Sequence, residues 1–152
     1  MAATVLPSGS ERSITAIRAS RLARDVHEGQ TDRYDEPVIE HVARVASRVS
    51  TDARPLALVH DVCERSALSP VDVAFRVGLS DAERVALALM TRLPGEDVVA
   101  HTRRVLDAAP GRGRELAIEV KRADVCDHTD RTPFWTSSPH ARAALALDAA
   151  DA

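Results

Sequence analysis

The segment Leu58-Val59-His60-Asp61-Val62-Cys63-Glu64 places adjacent ionisable side chains inside an apolar run. It continues an apolar run that begins at Pro55, and it carries a histidine and an aspartate side by side. Burying a charge in such a run is costly unless the charge is paired or bound to a metal. Outward from this stretch, His41 lies upstream and Asp124 downstream, so the series H…HD…D spans three predicted helices.

The side chains of this series have the chemistry of a metal site: His41, His60, Asp61 and Asp124. Two imidazoles and two carboxylates suit a divalent cation such as Mn²⁺, Fe²⁺, Zn²⁺ or Mg²⁺, and they leave positions for water or a phosphate oxygen. A lone histidine on a helix is more often a packing residue, so the prediction depends on the combination. The combination predicts a metal centre equipped for hydrolysis.

Helical spacing indicates which side chains accompany these ligands. If His60 and Asp61 lie on one helix, their side chains diverge by about 100° and can hold an ion between them. Glu64 then lies one turn further on the same face, where it could act on water at the metal. The later predicted helix carries a second row on one face: Lys121, Asp124, Asp127, His128 and Arg131. An ordinary solvated stripe explains Lys121, Asp127 and Arg131 equally well.

Composition restricts the fold class and the partners. The chain has 152 residues, of which 45% are hydrophobic and only 3% aromatic, a composition that favours packed helices over sheet. The net charge of −3 and the absence of a basic run exclude a long nucleic-acid footprint but allow a small anionic substrate. No apolar run approaches the roughly 20 residues that cross a bilayer. We therefore expect a soluble, cytoplasmic protein; sequence leaves open whether it forms a homodimer.

The pattern of apolar positions, caps and breakers predicts an all-α bundle of about seven to eight helices. Residues 1–10 are predicted to be a flexible leader, and residues 11–152 a single domain. The third helix is predicted to run through His60 and Asp61 and to end near Arg65. Ser69, Ser80 and Ser138 are predicted helix caps, and the first two helices are expected over 11–28 and from Pro37. His101 and His140 belong to no motif and are predicted to be surface or packing residues.

Four segments together carry a resemblance to a known family: Val26-His27-Glu28-Gly29-Gln30, Pro37-Val38-Ile39-Glu40-His41, Leu58 to Glu64, and Val120-Lys121-Arg122-Ala123-Asp124. They resemble the HD-domain phosphohydrolases, and most closely the Rel/Spo homologue hydrolase domain and the small alarmone hydrolases. There the pattern reads approximately H-x-G-Q, P-Y-I-x-H, L-L-H-D-x-V-E-D and K-L-A-D-x-x-x-N. The resemblance extends from about Ala19 to about Arg131 and preserves all four metal positions.

The resemblance implies a function. Members of the family hold one Mn²⁺ on the H…HD…D ligands and remove the 3′-pyrophosphate of guanosine alarmones. Carried over, the metal ligands are His41, His60, Asp61 and Asp124, and Glu64 assists proton transfer beside Asp61. The resemblance also implies residues that contact the small nucleotide substrate or border its pocket: Arg33, Thr91, Arg92 and Lys121. We expect Arg65, Asp127 and His128 to bind the substrate as well.

Two departures from the family pattern leave alternatives open. The acidic pair after HD is Glu64 followed by Arg65, so a cation replaces one carboxylate, and His128 stands where the family has an asparagine. Arg65 could serve as an additional phosphate clamp, and the imidazole changes the donors and acceptors offered to a nucleotide. The alternatives are a nucleotidase acting on another nucleotide and a module that binds metal and nucleotide without turnover.

Overall fold

The computed structural model describes residues 9–131 and 138–151. Within these ranges the chain forms eight α-helices and no strand, which confirms the predicted all-α class. In chain order the helices are α1 (Gly9–His27), α2 (Val38–Ser47), α3 (Arg54–Val59), α4 (Pro70–Val77), α5 (Asp81–Met90), α6 (Val98–Leu106), α7 (Arg112–Asp130) and α8 (Pro139–Ala149).

The first helix begins earlier than predicted. α1 already includes Gly9 and Ser10, which the sequence analysis assigned to a leader over residues 1–10. The rest of that leader, residues 1–8, lies outside the described residues. Of the described helices, none is long and apolar enough to cross a membrane.

Serine caps set the starts of three helices, as predicted. Ser69 and Ser80 each accept a bond from the third helical residue's backbone N–H and complete a reciprocal capping box, with Asp72 and Glu83 respectively. Ser138 accepts from the backbone N–H of Ala141 at the start of α8. These caps satisfy backbone donors that a helix start otherwise leaves without partners. Local sequence chemistry therefore fixes where α4, α5 and α8 begin.

The long helix α7 packs closely against α5 and carries much of the candidate site. Leu116, Ala117 and Val120 of α7 lie in the main hydrophobic core with residues of α1 to α5. At the start of α7, a Cβ on Gly113 would lie 2.7 Å from Cγ1 of Val85 and 2.9 Å from the carbonyl oxygen of Ala82. Only glycine fits at this distance, so Gly113 sets how near the two helices approach.

The third helix ends before the His60-Asp61 pair, and the prediction that this pair lies on one helix is wrong. α3 stops at Val59, and His60 is its C-terminal cap residue. Beyond it the chain continues in turns, in which the N–H of Val62 bonds the carbonyl of Val59 and the N–H of Arg65 bonds that of Val62. These bonds reach back three residues instead of four, so the backbone tightens and leaves the α-helical course. Glu64 is therefore not placed by α-helical spacing from His60.

A partly buried ion pair stabilises the loop between α5 and α6. Glu96 accepts bonds from Arg104 Nε at 2.7 Å and Nη2 at 2.9 Å, and from the backbone N–H of Leu93 at 3.0 Å. The hydrogen bonds of Arg104 lower the pKa of Glu96 to about 2, although burial opposes the shift. The loop so stabilised carries Arg92 and Asp97, which line the cavity described below.

Glu96→Gln should lower the free energy of unfolding by about 2 kcal/mol at pH 7. Because the native carboxyl titrates at a lower pH than the unfolded one, its contribution is complete above about pH 4.5 and is lost towards about pH 2. Urea unfolding of both proteins at pH 7 and pH 3 measures this difference. Glu115→Gln, which alters an exposed pair with Arg112, is the control and should cost under about 1 kcal/mol. An equal cost of Glu96→Gln at both pH values would contradict the expectation.

Candidate metal centre

The structure brings the four predicted metal ligands together from three parts of the chain. His41 lies on α2, His60 and Asp61 follow α3, and Asp124 lies on α7. The Oδ1 atom of Asp124 is 3.3 Å from His41 Nε2 and 3.8 Å from His60 Nε2, and His60 Nε2 is 3.4 Å from Asp61 Oδ1. Ligand atoms of His41, His60 and Asp61 all lie within 4.8 Å of one another.

Both predicted imidazole ligands are oriented by a hydrogen bond on their far side. His60 Nδ1 donates to the carbonyl oxygen of Ala57 at 2.7 Å, and His41 Nδ1 donates to Asp127 Oδ2 at 2.7 Å. Such a bond fixes the ring so that Nε2 is the nitrogen left to bind a cation. Both Nε2 atoms are buried without a hydrogen-bond partner and face the carboxylates. Buried polar atoms rarely stay unsatisfied, so these residues fit a bound divalent cation.

The charges of the cluster support this interpretation. Burial lowers the pKa of His41, but the neighbouring carboxylates of Asp124, Asp61 and Asp127 overcome it and raise the pKa to about 9. Burial raises the pKa of Asp124, yet the Lys121 ammonium, 3.1 Å from Oδ2, and the nearby imidazoles hold it well below its ordinary value. The cluster thus contains a carboxylate that stays ionised and an imidazole nitrogen of high basicity, for which a metal ion competes with a proton.

His128 joins the cluster, although the sequence analysis placed it at the nucleotide. Its Nε2 atom is 3.3 Å from Asp124 Oδ1. Ligand atoms of His41, Asp124 and His128 form a second group within 4.8 Å of one another. The spacing of four residues predicts that Asp124 and His128 share a face of α7, but it does not predict that the imidazole meets the metal cluster.

Asp127 lies behind the cluster and not at the nucleotide position that the sequence analysis gave it. Its side chain is 1% exposed, and it accepts bonds from His41 Nδ1 and from Arg44 Nε and Nη2 at 2.7 to 3.1 Å. A fully engaged, buried carboxylate has no free face for a substrate. Asp127 therefore orients His41, in the arrangement in which a carboxylate supports a metal-binding histidine.

A cavity of about 410 Å³ opens onto the cluster. Asp61, Asp124 and His128 reach its wall from the cluster. The residues predicted to handle substrate also line it, namely Arg33, Glu64, Arg65, Arg92 and Lys121. The volume falls within the range of ligand-binding pockets, about 300 to 1,000 Å³. Four cationic side chains therefore face a space that adjoins the candidate metal centre.

Two carboxylates of this cavity wall contact arginines. Glu64 accepts bonds from Nε and the backbone N–H of Arg92 at 3.1 and 2.9 Å. Arg65 Nε lies 3.6 Å from Asp61 Oδ2.

Two other residues predicted to border the pocket differ in where they lie. The guanidinium of Arg33 stacks over the Tyr34 ring at 4.9 Å from its centroid. Thr91 does not line the cavity; its hydroxyl donates to the carbonyl oxygen of Leu87.

Sequence reasoning missed two cavity histidines. His101 and His140 both line the wall. His101 donates from Nε2 to the carbonyl oxygen of Leu89, and burial, with help from Lys121, lowers its pKa to about 4. His140 stacks on His128 with ring centroids 4.3 Å apart, and burial together with His128 lowers its pKa to about 4. Each lies on a helix that reaches the site only through packing. The spacing of residues in the sequence therefore could not predict that these histidines line the cavity.

Comparison with known proteins agrees with this geometry. Over 82 residues the chain is 42% identical to the guanosine-3′,5′-bis(diphosphate) 3′-pyrophosphohydrolase of Vibrio cholerae serotype O1, a match that covers 50% of this chain and 12% of that protein. No protein-family model matches the chain. The chain is a distant relative of a pyrophosphohydrolase, and the resemblance predicted from its sequence is confirmed.

Proposed function

We propose that the protein is a metal-dependent phosphohydrolase of small nucleotides. The observation that carries the proposal is the cluster of His41, His60, Asp61 and Asp124, in which Asp61 and Asp124 line a cavity that also presents several cationic side chains. Two buried imidazole nitrogens without partners and two carboxylates form a cation site, and the cations beside it suit phosphate. The distant relationship to a pyrophosphohydrolase supports the same reaction class.

In such a reaction, different residues of the chain would bind the metal, orient its ligands, contact phosphate and transfer a proton. A divalent cation held by the four ligands, Mn²⁺ by the resemblance, would neutralise phosphoryl charge and lower the pKa of a water ligand. Ala57 and Asp127 orient the two imidazoles. Arg65 and Lys121 each face a ligand carboxylate at the cavity wall, where either cation could also meet a phosphate oxygen. We assign proton transfer to Glu64, which lines the same cavity as Asp61.

Guanosine alarmones are the substrates we propose first. The Vibrio relative is named for hydrolysis of guanosine-3′,5′-bis(diphosphate) at its 3′-pyrophosphate, and the four ligand positions of that resemblance are present here. A cavity of about 410 Å³ provides space for a nucleotide. Arg33 and Arg92, at the outer wall, are the side chains that we expect to contact the diphosphate remote from the reacting bond.

Turnover with and without Asp61 tests the proposal. Protein supplied with Mn²⁺ and guanosine-3′,5′-bis(diphosphate) should release pyrophosphate, and Asp61→Ala should reduce the rate by more than about 100-fold, because loss of a supporting group alone costs 10 to 100-fold. Ion-exchange chromatography separates the products. Glu40→Ala, which removes an exposed carboxylate next to His41, should retain the wild-type rate. Orthophosphate released from another nucleotide would instead identify a nucleotidase.

A binding module without turnover is the second candidate, and two ion pairs favour it. Arg92 donates a hydrogen bond to the carboxylate of Glu64. Arg65 stands where the family has its second carboxylate, and its guanidinium lies near Asp61. The two arginines thus hold carboxylates that the reaction would use, Glu64 for proton transfer and Asp61 for the metal. Metal and nucleotide binding by calorimetry, combined with no product over a full nucleotide panel, would establish this candidate in place of the enzyme.

A further inference from the structure

We propose that His128 is a fifth protein ligand of the metal centre, which then holds three imidazoles and two carboxylates. The inference rests on the metal site of the proposed function and goes beyond it, because the resemblance supplies only four ligands. In the resembling family an asparagine occupies this position. The added imidazole would make the centre of this chain chemically distinct from that of the family.

The position of His128 Nε2 supports this assignment. His128 Nε2 and His41 Nε2 lie at the same distance, 3.3 Å, from one oxygen, Oδ1 of Asp124. Two ligands bound to one ion at about 2.1 Å and at right angles are about 3 Å apart. The separation of His128 Nε2 from Asp124 Oδ1 would therefore allow both atoms to bind one ion, and His128 Nε2 is nearer to that oxygen than His60 Nε2, at 3.8 Å.

The ring of His128 is also held in place from both sides. His128 lies on α7 one turn after Asp124, with its ring centroid 4.7 Å from that of His41 and 4.3 Å from that of His140. The side chain is 28% exposed, and it lines the cavity from the side of the cluster. A contact with the nucleotide alone would not require Nε2 to face the ligand carboxylate.

A third imidazole changes which metals the centre prefers. Nitrogen ligands favour Fe²⁺, Co²⁺ and Zn²⁺ over Mn²⁺ and Mg²⁺ more strongly than oxygen ligands do. The wild-type centre should therefore bind Co²⁺ more tightly than Mn²⁺ by a wider margin than a variant with an amide at this position. His128→Asn restores the residue that the family carries and is the natural comparison.

Proton NMR of the Co²⁺-loaded protein counts the imidazole ligands directly. Each histidine bound to Co²⁺ contributes one strongly shifted, exchangeable ring N–H signal, which disappears in D₂O. We expect three such signals in the wild type, two in His128→Asn, and three in His140→Asn, which removes the stacked imidazole but no ligand. Competition titration should show the Co²⁺ dissociation constant rising at least about 10-fold in His128→Asn and the Mn²⁺ constant rising less.

The outcomes separate this inference from the proposed function. Two signals in the wild type would overturn the fifth ligand, whatever any variant does, and would leave the four-ligand centre intact. Unchanged Co²⁺ affinity in His128→Asn would have the same meaning. Failure of the wild type to bind Co²⁺ or Mn²⁺ would overturn both proposals. Three signals without turnover of any nucleotide would support the ligand assignment and reject the enzyme.

Discussion

Asp124→Ala should eliminate metal binding and lower the free energy of unfolding by about 3 kcal/mol at pH 7. Three imidazole nitrogens lie within 3.8 Å of Oδ1 of this residue, so the substitution removes the ligand at the centre of the cluster. It also removes the carboxylate that pairs with Lys121, a side chain that is only 4% exposed. Breaking a buried pair by deleting one partner leaves an uncompensated charge, which is the costly part.

The double variant Lys121→Met and Asp124→Ala separates the two effects. It removes the buried ammonium together with its partner, so most of the lost stability should return while metal binding stays absent. Urea unfolding in the presence of a chelator measures stability, and calorimetric titration with Mn²⁺ measures binding. If Asp124→Ala keeps a Mn²⁺ affinity within threefold of the wild type, the assignment of the centre fails.

The starts of α4, α5 and α8 could be predicted because the information for them is local. Ser69 and Ser80 cap their helices through side chains three residues apart, and no distant contact is needed to specify them. The end of α3 could not be predicted in this way, because no glycine or proline interrupts the stretch from Val59 to Glu64. There the backbone tightens into three-residue turns while the ring of His60 bonds the carbonyl of Ala57.

The candidate site shows the same difference between features set by local sequence and features set by long-range packing. The clustering of His41, His60, Asp61 and Asp124 could be predicted because their order and spacing match a family motif, and His128 shares a helix face with Asp124. His140 and His101 reach the cavity only because α8 and α6 pack beside α7. The role of Asp127 depends on α2, which brings His41 and Arg44 to the same carboxylate from more than 80 residues away in sequence. A position on a helix face does not reveal which partner that face meets.

Asp127→Asn should weaken Mn²⁺ binding by about 10 to 100-fold while the protein remains folded. The amide can still accept a hydrogen bond from His41 Nδ1, but it loses the charge that makes the opposite nitrogen a stronger ligand. Arg44, which donates to both oxygens of Asp127, keeps its second partner Glu36 and is one third exposed, so the cost in stability should be smaller than that of Asp124→Ala.

Asp130→Asn is the matched control for this effect. Asp130 lies three residues later on α7 and also pairs with an arginine, Arg48, at 2.9 Å, but it touches no histidine of the cluster. Calorimetric titration should therefore show wild-type affinity in Asp130→Asn and reduced affinity in Asp127→Asn. Equal affinities in the two variants would mean that Asp127 is only a structural anchor for Arg44. A selective loss would show that a buried carboxylate, inaccessible to substrate, sets the strength of the metal centre through the imidazole it holds.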